Sequence, residues 1–98
     1  MTPFAIAGVQ MYVNPLHSNV EGMLQRLDVL MLRFPWTQMV LFSELSPFGP
    51  LEKFKLPQQN EVIDKFCEAA RCHKVWLIPG SMFLTHPEDG RIYNTSLV

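Results

Sequence analysis

The chain has 98 residues, 48% of them hydrophobic and 17% charged, with a formal net charge of −1. That length allows one domain, and that apolar fraction excludes a disordered chain. The near-neutral balance excludes the basic footprint of a nucleic-acid-binding surface, so no DNA or RNA partner is expected.

Phe4 to Val13 is almost entirely apolar, as suits a central strand covered on both faces, and Asn14-Pro15 ends it. Ser18-Asn19-Val20-Glu21 fits a capping box, with the hydroxyl serving the first turn and Glu21 reaching back. Val20, Met23, Leu24, Leu27, Leu30, Met31 and Phe34 then recur in steps of three and four, which lays one apolar stripe along a helix. The methionines in it read as core filler. Pro35 stops the helix. Met39-Val40-Leu41-Phe42 is a second buried strand, and it runs straight into Ser43-Glu44.

A long loop from Leu45 to Pro57 follows, rich in Pro, Phe and Lys, and loops of that length tend to be functional. Phe48 and Phe54 in it are candidates to wall a pocket or to pin the loop to the body. A second helix is predicted from about Gln58 to His73, with Val62, Ile63, Phe66, Ala69 and Ala70 on one face and Glu61 paired to Lys65. Val75 to Ile78 reads as a third strand and Met82 to Thr85 as a fourth. His86-Pro87-Glu88-Asp89-Gly90 is a turn in which Asp-Gly supplies positive φ, and a last strand begins at Arg91. Strand–helix alternation predicts an α/β fold with parallel strands, and the hairpin predicts a mixed, mainly parallel sheet with two helices. The run from Arg91 to Val98 resembles a strand in mid-course, so residues 1–98 are expected to be the amino-terminal portion of a longer domain.

No stretch approaches the roughly eighteen apolar residues of a membrane span, and no membrane partner is expected. Met1-Thr2-Pro3-Phe4 lacks the basic region and apolar core of a signal peptide. Two cysteines without an export signal read as reduced thiols, which makes the cytoplasm the expected location. Cys67 and Cys72 are five apart on the predicted helix and so diverge by about 140°. That spacing suits neither a disulfide nor zinc, and both read as small buried or half-buried residues; no metal is expected. His17, His73 and His86 read as surface or capping residues. No glycine-rich phosphate loop follows the first strand.

Glu44 is the residue with chemical promise. It stands at the carboxyl tip of a buried strand, the edge where ligands collect in parallel sheets. An apolar shell there would raise its pKa and suit it to take and return protons near neutrality.

Phe42-Ser43-Glu44-Leu45-Ser46 resembles the first signature of the carbon–nitrogen hydrolase (nitrilase) superfamily, in which a glutamate follows the second strand. Val9-Gln10, Ile78-Pro79-Gly80-Ser81 and Gly90-Arg91-Ile92-Tyr93-Asn94-Thr95 resemble further family pieces in order and spacing. The resemblance implies one half of an α-β-β-α sandwich. It implies hydrolysis of amide, nitrile or ureido C–N bonds by a Glu-Lys-Cys triad, without metal or organic cofactor, in a protein that commonly forms homo-oligomers. Residue by residue only Glu44 carries over, as general base and acid. The family's lysine and cysteine follow the hairpin, so none of Lys53, Lys55, Lys65, Lys74, Cys67 and Cys72 corresponds to them. These residues alone are therefore expected to be inactive. Phe48 is a candidate for contact with a small amide or nitrile substrate, and Asn94 for support of the site by hydrogen bonds. The alternatives are a non-catalytic α/β module that binds a small ligand, or a relative that has lost its catalytic residues.

Overall fold

Three short parallel strands form the centre of the molecule. A computed structural model describes residues 3–50 and 59–98. In chain order the elements are β1 (Ile6–Val9), α1 (Val20–Arg33), β2 (Met39–Phe42), α2 (Gln59–His73), β3 (Trp76–Ile78), β4 (Ser81–Thr85) and β5 (Ile92–Ser96). The parallel sheet has the order β1-β2-β3. Ala7, Val40 and Leu77 align across it, as do Ile6, Met39 and Trp76 on the opposite face.

Burial alternates strictly with this register. Val40, Phe42 and Leu77 join Val20, Met23 and Leu27 of α1 and Val62 and Phe66 of α2 in one core, with Met82 of β4. Both helices therefore cover the same face of the sheet. Met23 is fully enclosed, which bears out the reading of the methionines as core filler. Among the described residues the other face is open: Ile6 and Trp76 are both 61% exposed. Among the described residues β1 is an edge strand, not the central one expected, and it is covered on one face only. Its ladder is only four residues long, and Tyr12, further along the apolar run, is almost wholly exposed.

Asn19 caps α1 by position, but its side chain makes no cap bond to the helix. It reaches sideways instead. Asn19 Oδ1 accepts from the Asn14 N–H at 2.9 Å, and Asn19 Nδ2 donates to the Asn14 carbonyl at 3.0 Å. Ser18 Oγ serves the first turn by accepting from the Val20 N–H at 3.2 Å. Glu21 does not complete the capping box. It pairs with Lys65 on α2 at 3.1 Å, which also draws that lysine away from the expected partner Glu61. A second tie between the helices joins His73 Nε2 to Asp28 Oδ1 at 2.8 Å. Both cysteines are exposed, in contrast to the burial expected of them. Among the described residues of α2, Val62 and Phe66 are buried, Ala69 and Ala70 pack half-buried against the same core, and the thiols lie outside this stripe.

Parallel and antiparallel pairing both occur, as expected of a mixed α/β fold, but the ladder breaks at Pro79-Gly80. β4 and β5 form a separate two-stranded antiparallel sheet, with Phe83 opposite Asn94 and Leu84 opposite Tyr93. Gly90 takes φ +69°, the left-handed turn conformation expected of Asp-Gly. Asp89 closes the turn: Oδ1 accepts from the Arg91 N–H at 2.8 Å and Oδ2 from the Tyr93 hydroxyl at 2.7 Å. No helix among the described residues is long and apolar enough to cross a membrane.

The Tyr93 phenol is held above its ordinary pKa, chiefly because its hydroxyl donates a hydrogen bond to the Asp89 carboxylate, with a smaller push from desolvation and an opposing pull from Arg91. A raised folded-state value favours the neutral phenol. Its contribution is therefore present below the unfolded value of about 10 and is lost as pH rises through the folded one. Asp89→Asn is expected to lower the Tyr93 titration midpoint, read by ultraviolet absorbance of the phenolate. An unchanged midpoint would show that the contact has no weight in solution.

Candidate functional site

The exits of β2 and β3 are locked together, and Glu44 stands on the lock. Gly80 has φ +82°, and a Cβ built there would lie 2.0 Å from the Ser43 carbonyl oxygen and 3.1 Å from its carbon. Only glycine fits, both for its conformation and for the room it leaves. The next residue completes the contact: Ser81 Oγ accepts from the Leu45 N–H at 3.0 Å. Leu45 itself holds φ +59°, an uncommon conformation for a branched residue and one that needs such support.

The loop after β2 is further tied on its other side. Ser46 Oγ donates to the Ser43 carbonyl at 2.6 Å. The Gly49 N–H donates to the Leu45 carbonyl at 2.7 Å, and the Asn19 N–H to the Pro47 carbonyl at 2.7 Å. Ser46 and Pro47 are buried. Glu44 therefore leaves a stiff turn anchored to the start of α1 and to the start of β4.

Asn94 meets it from the hairpin. Asn94 Nδ2 donates to Glu44 Oε2 at 2.7 Å across 50 residues of sequence. The two line a small hollow of about 250 Å³ with Phe42, Ile78, Gly80, Ser81 and Ser96. The hollow lies beyond the carboxyl ends of β2 and β3, where the position of Glu44 in the sequence placed it. Glu44 is nonetheless exposed, so the apolar shell expected around it is not assembled by the described residues.

The other predicted positions divide. Phe48 is half-buried and packs against the hydrophobic core, and it is not among the residues lining the Glu44 hollow. That contact pins the loop to the body, one of its two expected roles. Phe54 falls at residues 51–58, outside the described residues. Neither cysteine lines the hollow. Cys72 Sγ donates to Glu68 Oε1 at 3.3 Å, beside the groove between α1 and α2. Among the described residues no group of three or more His, Cys, Asp and Glu side chains is placed to hold a metal. Sequence reasoning missed Ser81 and Asn19. Ser81 stands in the Ile78-Pro79-Gly80-Ser81 strand exit of the resemblance without a role of its own there, and Asn19 reads as part of the capping box.

Searches against protein-family models, curated proteins and solved structures returned no match to this chain.

Two measurements check this geometry. Gly80→Ala should destabilise the chain by at least about 1–3 kcal/mol in urea unfolding, because the methyl group displaces the Ser43 peptide and the backbone must leave its left-handed conformation. A loss below about 0.5 kcal/mol would mean that the two strand exits do not touch. Glu44→Ala, which removes the acceptor of the Asn94 amide, should shift the Asn94 side-chain amide resonances, and unchanged resonances would mean that the contact is not formed.

Proposed function

We propose that the chain is the amino-terminal part of a carbon–nitrogen hydrolase of the nitrilase type, in which Glu44 takes and returns the proton during cleavage of a small amide, nitrile or ureido substrate. The observation that carries this reading is the Asn94–Glu44 contact at the carboxyl edge of the sheet. A glutamate and an asparagine from separate motifs of the resemblance meet at one point. The buried turn around Ser46 and the close fit of Gly80 hold that point still, as a proton-transfer group requires.

The chemistry follows from what a carboxylate can do. With an amide or ureido substrate, Glu44 accepts the proton of an attacking thiol, and sulfur bonds to the carbonyl carbon as electrons move to its oxygen. The oxyanion collapses, the C–N bond breaks, and the protonated Glu44 delivers its proton to the departing nitrogen. Water then cleaves the thioester with the same carboxylate as base. In this reading the thiol and an oxyanion-stabilising lysine come from outside residues 1–98, and these residues alone are inactive. Asn94 is a positioning residue that fixes one carboxylate oxygen and leaves the other for the reacting proton. The open face of Ile6, Met39 and Trp76 supports the finer architecture, an α-β-β-α sandwich in which a second sheet packs on that face. A reducing cytoplasm suits a free thiol nucleophile.

The test is hydrolysis of simple amides, nitriles and ureido compounds by the product of the complete reading frame. Glu44→Gln should lower kcat by about 10²-fold or more, the usual weight of general acid–base catalysis. Asn94→Ala should lower it less, with KM little changed. Turnover that survives Glu44→Gln within about tenfold would remove Glu44 from the chemistry. Substrate binding with no turnover by the complete product would favour a ligand-binding module, which the exposure of Glu44 also suits.

A further inference from the structure

Among the described residues two that are not glycine hold positive φ, Leu45 at +59° and Lys74 at +54°. Lys74 directly follows α2, and a left-handed residue commonly ends a helix. Leu45 ends no helix. It directly follows Glu44, and for a branched side chain its conformation is uncommon and costly. Such strain persists only where neighbours enforce it, and it gathers at functional positions.

The enforcing group is a side chain from another element. Within the turn, the Ser46 N–H donates to the Ser43 carbonyl at 3.3 Å and the Gly49 N–H to the Leu45 carbonyl at 2.7 Å, both local bonds. The Leu45 N–H instead reaches across 36 residues of sequence to Ser81 Oγ at 3.0 Å. That N–H belongs to the peptide group joining Glu44 to Leu45. Because the group is planar, its direction sets ψ of Glu44 and φ of Leu45 together. Ser81 is only 4% exposed, so water does not readily take over the role of its hydroxyl. Ser81 also begins β4 and pairs with Ser96 on β5, the strand that carries Asn94. One residue therefore grips the turn behind Glu44 and starts the hairpin that brings its partner.

We propose that Ser81 is a positioning residue for Glu44: its hydroxyl holds the Glu44–Leu45 peptide in the orientation that keeps the carboxylate against Asn94. Without that hydroxyl the Leu45 N–H loses its acceptor, and the peptide turns to relieve the left-handed conformation of Leu45. The carboxylate then spends less time at the Asn94 amide. The effect on turnover rests on the carbon–nitrogen hydrolase reading, whereas the effect on geometry does not.

The geometric test uses the 98-residue chain. Ser81→Ala should speed hydrogen exchange of the Leu45 amide about tenfold. It should also shift the Asn94 side-chain amide resonances toward their positions in Glu44→Ala. Ser81→Thr keeps the acceptor and should restore both, and Thr85→Ala at the exposed far end of β4 should change neither. In the product of the complete reading frame, Ser81→Ala should lower kcat about tenfold with KM changed less than about twofold, and Ser81→Thr should recover most of the loss. A merely structural role would lower the unfolding midpoint and leave kcat per folded molecule and the Asn94 resonances unchanged. Unchanged Leu45 exchange, unchanged Asn94 resonances, or a kcat within about twofold of the unsubstituted product in Ser81→Ala overturns the proposal. If the unsubstituted product turns over no C–N substrate, the hydrolase reading fails, and the exchange and resonance measurements still decide whether Ser81 positions Glu44.

Discussion

The contact between Gly80 and the Ser43 carbonyl sets the geometry of everything at the carboxyl edge of the sheet. It forces the exits of β2 and β3 to within backbone contact and leaves no space for a side chain between them. Once the two exits touch, Ser81 is in place to take the Leu45 N–H, and the chain after Glu44 can hold a left-handed residue that would otherwise relax. The same junction starts β4, and the β4–β5 register then delivers Asn94 to Glu44. The position of the carboxylate thus depends on one absent Cβ as well as on its own contact with Asn94.

The packing is lopsided, and the cause is visible in the register. Val40, Phe42 and Leu77 point one way from the strands and join the helices in the core, whereas among the described residues Ile6 and Trp76 point the other way and are exposed, with Met39 and Leu41 half-buried. Ile6, Met39 and Trp76 form a row with no charge in it. Apolar sheet faces of this kind are normally covered. The core in hand is correspondingly thin: it is built around one face of a short sheet and the inner stripes of two helices.

Much of this order was legible in the sequence, and the reasons differ by element. Both helices announced themselves through apolar residues three and four apart, and Val20, Met23, Leu27, Val62 and Phe66 are buried as that spacing requires. The Asp-Gly turn and the strand exit at Glu44 were set by local chemistry and were equally readable. The place of β1 in the sheet was not. A continuous apolar run records that both faces suit burial and says nothing of which neighbours exist, so Ile6 was assigned a cover that the described residues do not provide. Polar partners were the least legible. Ser18-Asn19-Val20-Glu21 offers a good local capping box, yet Asn19 turns to Asn14 and Glu21 to Lys65 because tertiary neighbours outbid the local one. The cysteines were misplaced for a similar reason. Their residue type favours burial, but neither falls on the stripe of α2 that meets the core, and both are exposed.

Glu44 has a fixed position and an exposed side chain, and that combination is informative. A carboxylate that serves only to cap a turn has no need of a distant asparagine, and one that serves only solubility has no need of a stiff support. Proton transfer to a bound substrate needs both a fixed carboxylate and exclusion of competing water. The described residues meet the first condition and leave the second unmet. One further layer of protein laid on the row of Ile6, Met39 and Trp76 and reaching past the strand ends would meet it, and would cover the apolar face in the same step. In the proposed reading, a single covering layer would therefore account for both the open face and the open hollow.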